Sequence, residues 1–321
     1  MTMRAAVVHS FGSPPRYETI DAPKPSRGDE AVVDVVAAGL HRRVRTDASG
    51  RHYTSTGALP MIPGIDGVGR LPDGRTVYFA SAGGRWGSMA ERALVNPRRM
   101  ILLPADSDPV NVAAAMNPAM SSWVALRCRA TLRPGQSVLV LGATGVAGTM
   151  AVQVARHLGA GKVVGAGRNP ERLAALAAAG ADEVVSLAGE PEVIAQRLAG
   201  AAADADIVID YLWGPPAAAA MHALLTGRPD RSRPLDWVQI GATAGPAIEL
   251  ESVVLRSANL RIQGSGQGAV SPGAYLAELP ALVEEVNAGT VSLSTRRVAL
   301  SDVERTWGQP DAPGERIVFV P

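Results

Sequence analysis

The segment Gly142-Ala143-Thr144-Gly145-Val146-Ala147-Gly148 has the residue types and spacing to receive a phosphate group. Glycines so placed let the backbone turn sharply and approach a pyrophosphate closely, and the third lets a helix pack against a strand. An apolar run, Ser137-Val138-Leu139-Val140-Leu141, precedes the loop. A helical stripe of Met150, Val154 and Leu158 follows and ends at Gly159. The start of that helix offers unbonded N–H groups and positive dipole character to an anion. A glycine pattern alone is weak evidence, and its place between strand and helix is what makes it specific.

The next apolar run ends at Gly165-Ala166-Gly167-Arg168-Asn169. An acidic residue here would bind ribose hydroxyls. The chain instead carries Arg168, twenty positions after Gly148. A guanidinium suits a 2′-phosphate, and no carboxylate is present to repel one, so the expected cofactor is NADPH rather than NADH. A solvated arginine before a helix is the plainer alternative.

These residues need a scaffold, and the pattern around them supplies one. From Gln136 onward strands are predicted at 136–142, 162–167, 183–187, 206–211, 237–241 and 260–264, with helices between them. Six apolar strands joined by crossovers predict an α/β fold with a doubly wound six-stranded parallel sheet. The earlier part differs. Short strands at 3–9, 31–37 and 75–80 are separated by Pro- and Gly-rich connections, which predicts a compact β-rich, barrel-like antiparallel domain. An Ala-rich helix over 112–130, interrupted at Asn117-Pro118, separates the two. After Gly266 the chain gives a helix at 275–287, strands at 296–300 and 316–320 and a short helix at 302–307 between them, a tail expected to return to the first domain.

Composition narrows the function classes. The 321 residues suit about two domains, and 47% hydrophobic content is enough for large cores. The formal net charge is +1, which gives no broad drive toward nucleic acid or an anionic membrane. Cys128 is the only cysteine, so neither an internal disulfide nor a cysteine-rich zinc site is expected, and a small apolar role is favoured over a nucleophile. No signal-like start or apolar run of ~18 residues stands out, and a soluble, cytoplasmic protein is expected.

With these motifs in place the chain resembles the medium-chain dehydrogenase/reductase superfamily, in its zinc-less quinone-oxidoreductase (zeta-crystallin-like) branch. The phosphate loop, the run Ala151-Val152-Gln153-Val154-Ala155-Arg156-His157-Leu158-Gly159-Ala160, the segment Pro63-Gly64-Ile65-Asp66-Gly67-Val68-Gly69 and the ending Gly314-Glu315-Arg316-Ile317-Val318 carry the resemblance. It implies a GroES-like substrate domain from 1–118 and 266–321 around a Rossmann domain at 119–265.

Departures from the pattern bear on chemistry. Zinc-dependent relatives carry a catalytic Cys where this chain reads Ala38-Gly39-Leu40-His41, and Gly-His-Glu where it reads Gly64-Ile65-Asp66. His41 and Asp66 alone do not make a three-ligand site, so no metal is expected. The zinc-less branch usually has Asn where His41 stands. A histidine there is either a proton donor or a surface residue.

The resemblance also implies an active-site role for Tyr53, whose phenol could donate to a substrate oxygen; an aromatic filling a domain edge is the alternative. Gly241, Ala242 and Thr243, and Gly264 with Ser265, follow late strands and by resemblance pass the nicotinamide half of the cofactor. Simple tight turns would look the same. Tyr211, Leu212 and Trp213 are candidates to wall the same pocket, and Asn117 is a possible contact. The expected activity is direct hydride transfer from NADPH to quinones or α,β-unsaturated carbonyls, a small-molecule reaction. The alternatives are an enoyl or alcohol oxidoreductase on a lipid- or polyketide-derived substrate, and a low-turnover NADPH-binding sensor or structural protein. A homodimer is expected because strand 260–264 would lie at an open sheet edge.

Overall fold

The computed structural model describes residues 1–25, 30–81, 83–310, 312 and 314–321. Two compact units divide the chain: Met1–Asn117 with Leu276–Pro321, and Pro118–Tyr275.

In the first unit, strands Ala31–Gly39, Asp66–Arg70, Thr76–Ser81 and Arg92–Leu102 pair antiparallel in that order. Arg92–Leu102 also pairs with Ala31–Gly39, which closes the ring. Side chains two apart share a face of a strand. Val33 and Val35, Val77 and Phe79, and Ala93 and Val95 accordingly meet in one buried cluster. Glu315–Val320 joins this sheet antiparallel to Ala31–Gly39, and Ser294–Ala299 runs parallel beside it. Thr2–Val7 pairs separately with Arg16–Asp21.

Three of these strands lack a periodic signal. Arg16–Asp21 is largely polar and only partly buried. Asp66–Arg70 reads as a turn because of Gly67 and Gly69, yet a Cβ at either would press on Ala37 or Val33 of the facing strand. Arg92–Leu102 contains Pro97 and adjacent arginines. Tertiary pairing decides all three.

The second unit holds a six-stranded sheet in the order Leu260–Gly264, Leu235–Gln239, Ile207–Asp210, Ser137–Leu141, Lys162–Gly167, Glu183–Ser186. Every neighbouring pair is parallel. The GroES-like β-rich fold and the doubly wound Rossmann fold are thus both present. Ser137–Leu141 and Ile207–Asp210 lie side by side, and the strand order reverses between them. That reversal opens a crevice at their C-terminal ends, where dinucleotides bind in this architecture.

One helix departs from expectation. Pro109–Val124 runs through Pro118 without a break, and a π-helical turn, Ala125–Arg129, follows. Proline removes one helical hydrogen bond, but Met116, Ala119, Met120 and Trp123 are all buried and hold the segment in place. Cys128, in the π turn, is half-exposed rather than buried. Among the described residues no helix is long and apolar enough to cross a membrane.

Candidate active site

The phosphate loop begins where Ser137–Leu141 ends. Gly142 has φ +84°, a left-handed conformation that glycine adopts without cost. The N–H groups of Gly142 and Ala143 both donate to the Ala166 carbonyl, each at 2.9 Å, tying the loop to the neighbouring strand. Gly145 caps helix Val146–His157 through its backbone and is exposed. The first helical bond inside it is Thr149 N–H to Gly145 O, at 2.8 Å. The N–H groups of Val146, Ala147 and Gly148 therefore belong to the first turn, which has no acceptor within the helix. A Cβ at Gly148 would overlap the Gly142 carbonyl, so only glycine lets helix and loop approach this closely. Thr144 stands against Gly167, the last residue of the next strand.

Arg168 follows that strand, exposed, with no hydrogen bond or ion pair among the described residues. Asn169 caps helix Pro170–Ala175 by accepting from Arg172 N–H at 2.9 Å. The guanidinium of Arg172 donates to the Thr144 carbonyl at 3.3 Å. A second cation therefore reaches the loop beside Arg168. Sequence reasoning passed over Arg172. Its only signal was its position in the first turn of the helix after Asn169-Pro170.

The far side of the crevice is built by the ends of strands Ile207–Asp210 and Leu235–Gln239. Gly241 N–H donates to Asp210 O at 3.1 Å, and Thr243 N–H and Oγ1 donate to Tyr211 O at 3.3 and 3.0 Å. Gly241 is half-buried, while Ala242 and Thr243 are exposed. Ser265 is buried, its N–H donating to Gln239 O at 2.8 Å, and Gly264 O accepts from Arg129 Nε at 3.0 Å. Ser121 donates to the Pro118 carbonyl at 2.7 Å, which leaves the Tyr211 phenol to donate to Ser121 Oγ at 2.8 Å. Burial raises the Tyr211 pKa to about 12, against the opposing pull of Ser121 and Ser122.

In the first unit, His41 is not a surface residue. It is 2% exposed, and its Nε2 lies 3.3 Å from Asp66 Oδ1. Tyr78, also buried, donates from its phenol to Asp66 Oδ2 at 2.6 Å. Tyr53 is different. It is 73% exposed, with its ring against His52 at a centroid distance of 4.5 Å, so it does not fill an edge of the fold. Asn117 is half-buried within helix Pro109–Val124.

A family model described as zinc-binding dehydrogenase matches residues 146–283. The chain is 31% identical to the probable NADPH-dependent quinone reductase tdiC of Emericella nidulans, over 99% of this chain and 100% of that one. This chain therefore belongs to the quinone-oxidoreductase-like branch of the medium-chain dehydrogenase/reductase family. Members of this family are oxidoreductases, and so is this enzyme. The quinone oxidoreductase of Thermus thermophilus, solved alone and in complex with NADPH, superposes with a TM-score of 0.78 at 27% identity, covering 99% of this chain and 100% of the other. A mycobacterial quinone oxidoreductase shares the fold, with a TM-score of 0.83 at 20% identity over 99% of this chain and 100% of that one.

The description of the family model raises the question of a metal in this oxidoreductase. Among the described residues, no group of three or more His, Cys, Asp or Glu side chains stands together. His41 and Asp66 face each other as a pair.

Proposed function

We propose that the protein is a zinc-independent, NADPH-dependent reductase of quinones or α,β-unsaturated carbonyls. The observation that carries this is the Gly142–Gly148 loop at the switch point, with free first-turn N–H groups and two guanidinium groups, Arg168 and Arg172, beside it. The full-length similarity to a probable NADPH-dependent quinone reductase supports the same cofactor and acceptor class.

The residues present fit the cofactor. Gly142 and Gly148 leave the space that a Cβ would fill, and the N–H groups of Val146, Ala147 and Gly148 suit a pyrophosphate. Arg168 and Arg172 suit the 2′-phosphate. Gly241, Ala242, Thr243, Gly264 and Ser265 would line the nicotinamide half, with Asn117 as a further contact. When bound, NADPH supplies the hydride.

The donors at hand do not fit a zinc ion. Ile65 and Leu40 offer none, and the buried His41 and Asp66 are two donors 3.3 Å apart, with Tyr78 donating to the other carboxylate oxygen. The protein's task is then to stabilise negative charge on the substrate oxygen. Tyr53, exposed and bearing a phenol, is the first choice of donor. His41, beside Asp66, is the second. A conjugated acceptor spreads the developing charge, which a metal would otherwise stabilise.

The test follows NADPH oxidation with quinones, enones and plain ketones side by side. Quinones and enones should turn over, and plain ketones should be poor substrates. Tyr53→Phe should lower kcat by up to about 10²-fold, below the full loss of an oxyanion donor because water can substitute. Fast reduction of plain ketones, or full activity in a Tyr53→Phe/His41→Ala double variant, would overturn the mechanism.

A further inference from the structure

Asp210 ends the fourth strand of the Rossmann sheet with a carboxylate removed entirely from solvent. Burial raises its pKa, and three donors oppose that shift. Oδ1 accepts the backbone N–H groups of Leu212 at 2.7 Å and Trp213 at 3.0 Å, and Oδ2 accepts the indole N–H of Trp237 at 3.0 Å. A buried carboxylate is costly unless such bonds satisfy it.

The backbone it grips is unusual. Trp213 has φ 51° and ψ −162°, a conformation natural to glycine and strained for a residue with a bulky side chain. Gly214, next in the chain, would be a simpler place for the turn's strain, and it too has positive φ. The indole is half-buried and packs against the apolar cluster of the sheet.

The location gives the strain a meaning. Leu212 and Tyr211 border the phosphate loop directly, since a Cβ at Gly142 would stand 3.1 Å from Leu212 Cδ2 and 3.3 Å from Tyr211 Cβ. The same tripeptide receives the segment from the fifth strand, through Thr243 on Tyr211 O and Ala244 N–H on Leu212 O at 2.8 Å. Asp210 is thus the anchor of a hub joining the phosphate loop to 241–244. A tryptophan thus stands where glycine would be relaxed, at the border of the phosphate loop.

We infer that Asp210 is a positioning residue that holds Trp213 in this glycine-type conformation so that the indole forms an aromatic wall against a planar ring of the dinucleotide cofactor. The inference rests on the NADPH-binding function proposed for the same crevice. Asp210 itself touches no cofactor; it fixes the turn, and the indole face supplies the stacking surface.

The test is binding of NADPH to the full chain, followed by energy transfer from tryptophan to the bound dihydronicotinamide and by calorimetry. Trp213→Gly and Trp213→Ala should each weaken NADPH roughly tenfold or more, as for losing one aromatic–base stack. Trp213→Gly should melt above Trp213→Ala, because only alanine keeps the strained Cβ. Asp210→Asn sets an amide NH2 against the Trp237 N–H and should weaken NADPH severalfold, raising the KM for NADPH more than it lowers kcat. Adding Trp237→Phe removes the clashing donor and should restore most of that affinity, which a merely structural loss would not do. Wild-type affinity in folded Trp213→Gly and Trp213→Ala, or in folded Asp210→Asn, overturns this inference alone. A folded wild-type chain that binds no NADPH overturns the cofactor assignment and this inference with it.

Discussion

His41 Nε2 lies 3.3 Å from Asp66 Oδ1, and both side chains are 3% exposed. Tyr78 donates to the other oxygen of the same carboxylate. Removing one member of a buried charged or polar pair typically costs about 3–5 kcal/mol, because the other is left buried without its partner. Asp66→Ala should show a loss of that order in urea unfolding. His41→Leu/Asp66→Asn should lose less, since Asn still accepts from Tyr78 and no imidazole remains to be satisfied. A double variant as unstable as the single one would count against the pairing.

Metal content is the direct check on the reaction type. Elemental analysis of untagged protein should find well below one zinc per chain, and chelation should leave quinone reduction unchanged. Stoichiometric zinc whose removal abolishes turnover would require a ligand set that His41 and Asp66 do not provide.

Arg168 and Arg172 should divide the 2′-phosphate between them. Each charge-assisted contact is worth ~1.5–3 kcal/mol, or roughly tenfold to a hundredfold in affinity. Arg168→Ala should weaken NADPH by that factor and NADH little. Arg172→Ala should do the same and in addition loosen the loop, because its guanidinium also holds the Thr144 carbonyl. Equal effects on both cofactors, measured by titration, would remove Arg168 from the site.

Tyr211 predicts an alkaline limit to stability. Its folded pKa of about 12 lies above the ordinary tyrosine value of 10.0. A raised pKa means that the folded state favours the protonated phenol. The stabilisation is complete below pH 10 and disappears as pH rises through about 12. Two pH units at ~1.4 kcal/mol each give roughly 3 kcal/mol. Tyr211→Phe should flatten the fall in stability between pH 10 and 12 relative to wild type. Ser121 remains satisfied in that variant by Pro118. Superimposable pH–stability curves would show that the phenol ionises as freely in the fold as outside it.

Strand Leu260–Gly264 is the edge of the Rossmann sheet, with one neighbour, Leu235–Gln239. An unpaired edge invites a second copy of the same strand. Light scattering should give the mass of two chains at working concentration. Ile262→Pro, which breaks the strand without touching the phosphate loop, should shift the mass toward one chain. A wild-type mass of one chain would count against pairing at this edge.

Local sequence was enough to mark the glycine loop 142–148 and the six strands around it. Gly142 and Gly148 act through backbone conformation and space, which are properties of residue type, and runs such as Val138–Leu141 and Ile207–Ile209 are apolar because both faces of a parallel sheet are covered. The polar or glycine-rich strands Arg16–Asp21 and Asp66–Arg70 carry no such mark, since their pairing comes from distant segments. Only the tertiary structure brings His41 to Asp66 and Tyr78, Arg172 to Thr144, and Asp210 to Trp237. Each is a meeting of side chain and partner whose distance depends on how the chain folds back, and Pro118 inside a continuous helix shows the same burial overriding a local rule. Residue types and spacing therefore determined the class of chemistry, while the fold decided which polar groups are buried together and which, like Tyr53 and Arg168, remain open to a ligand.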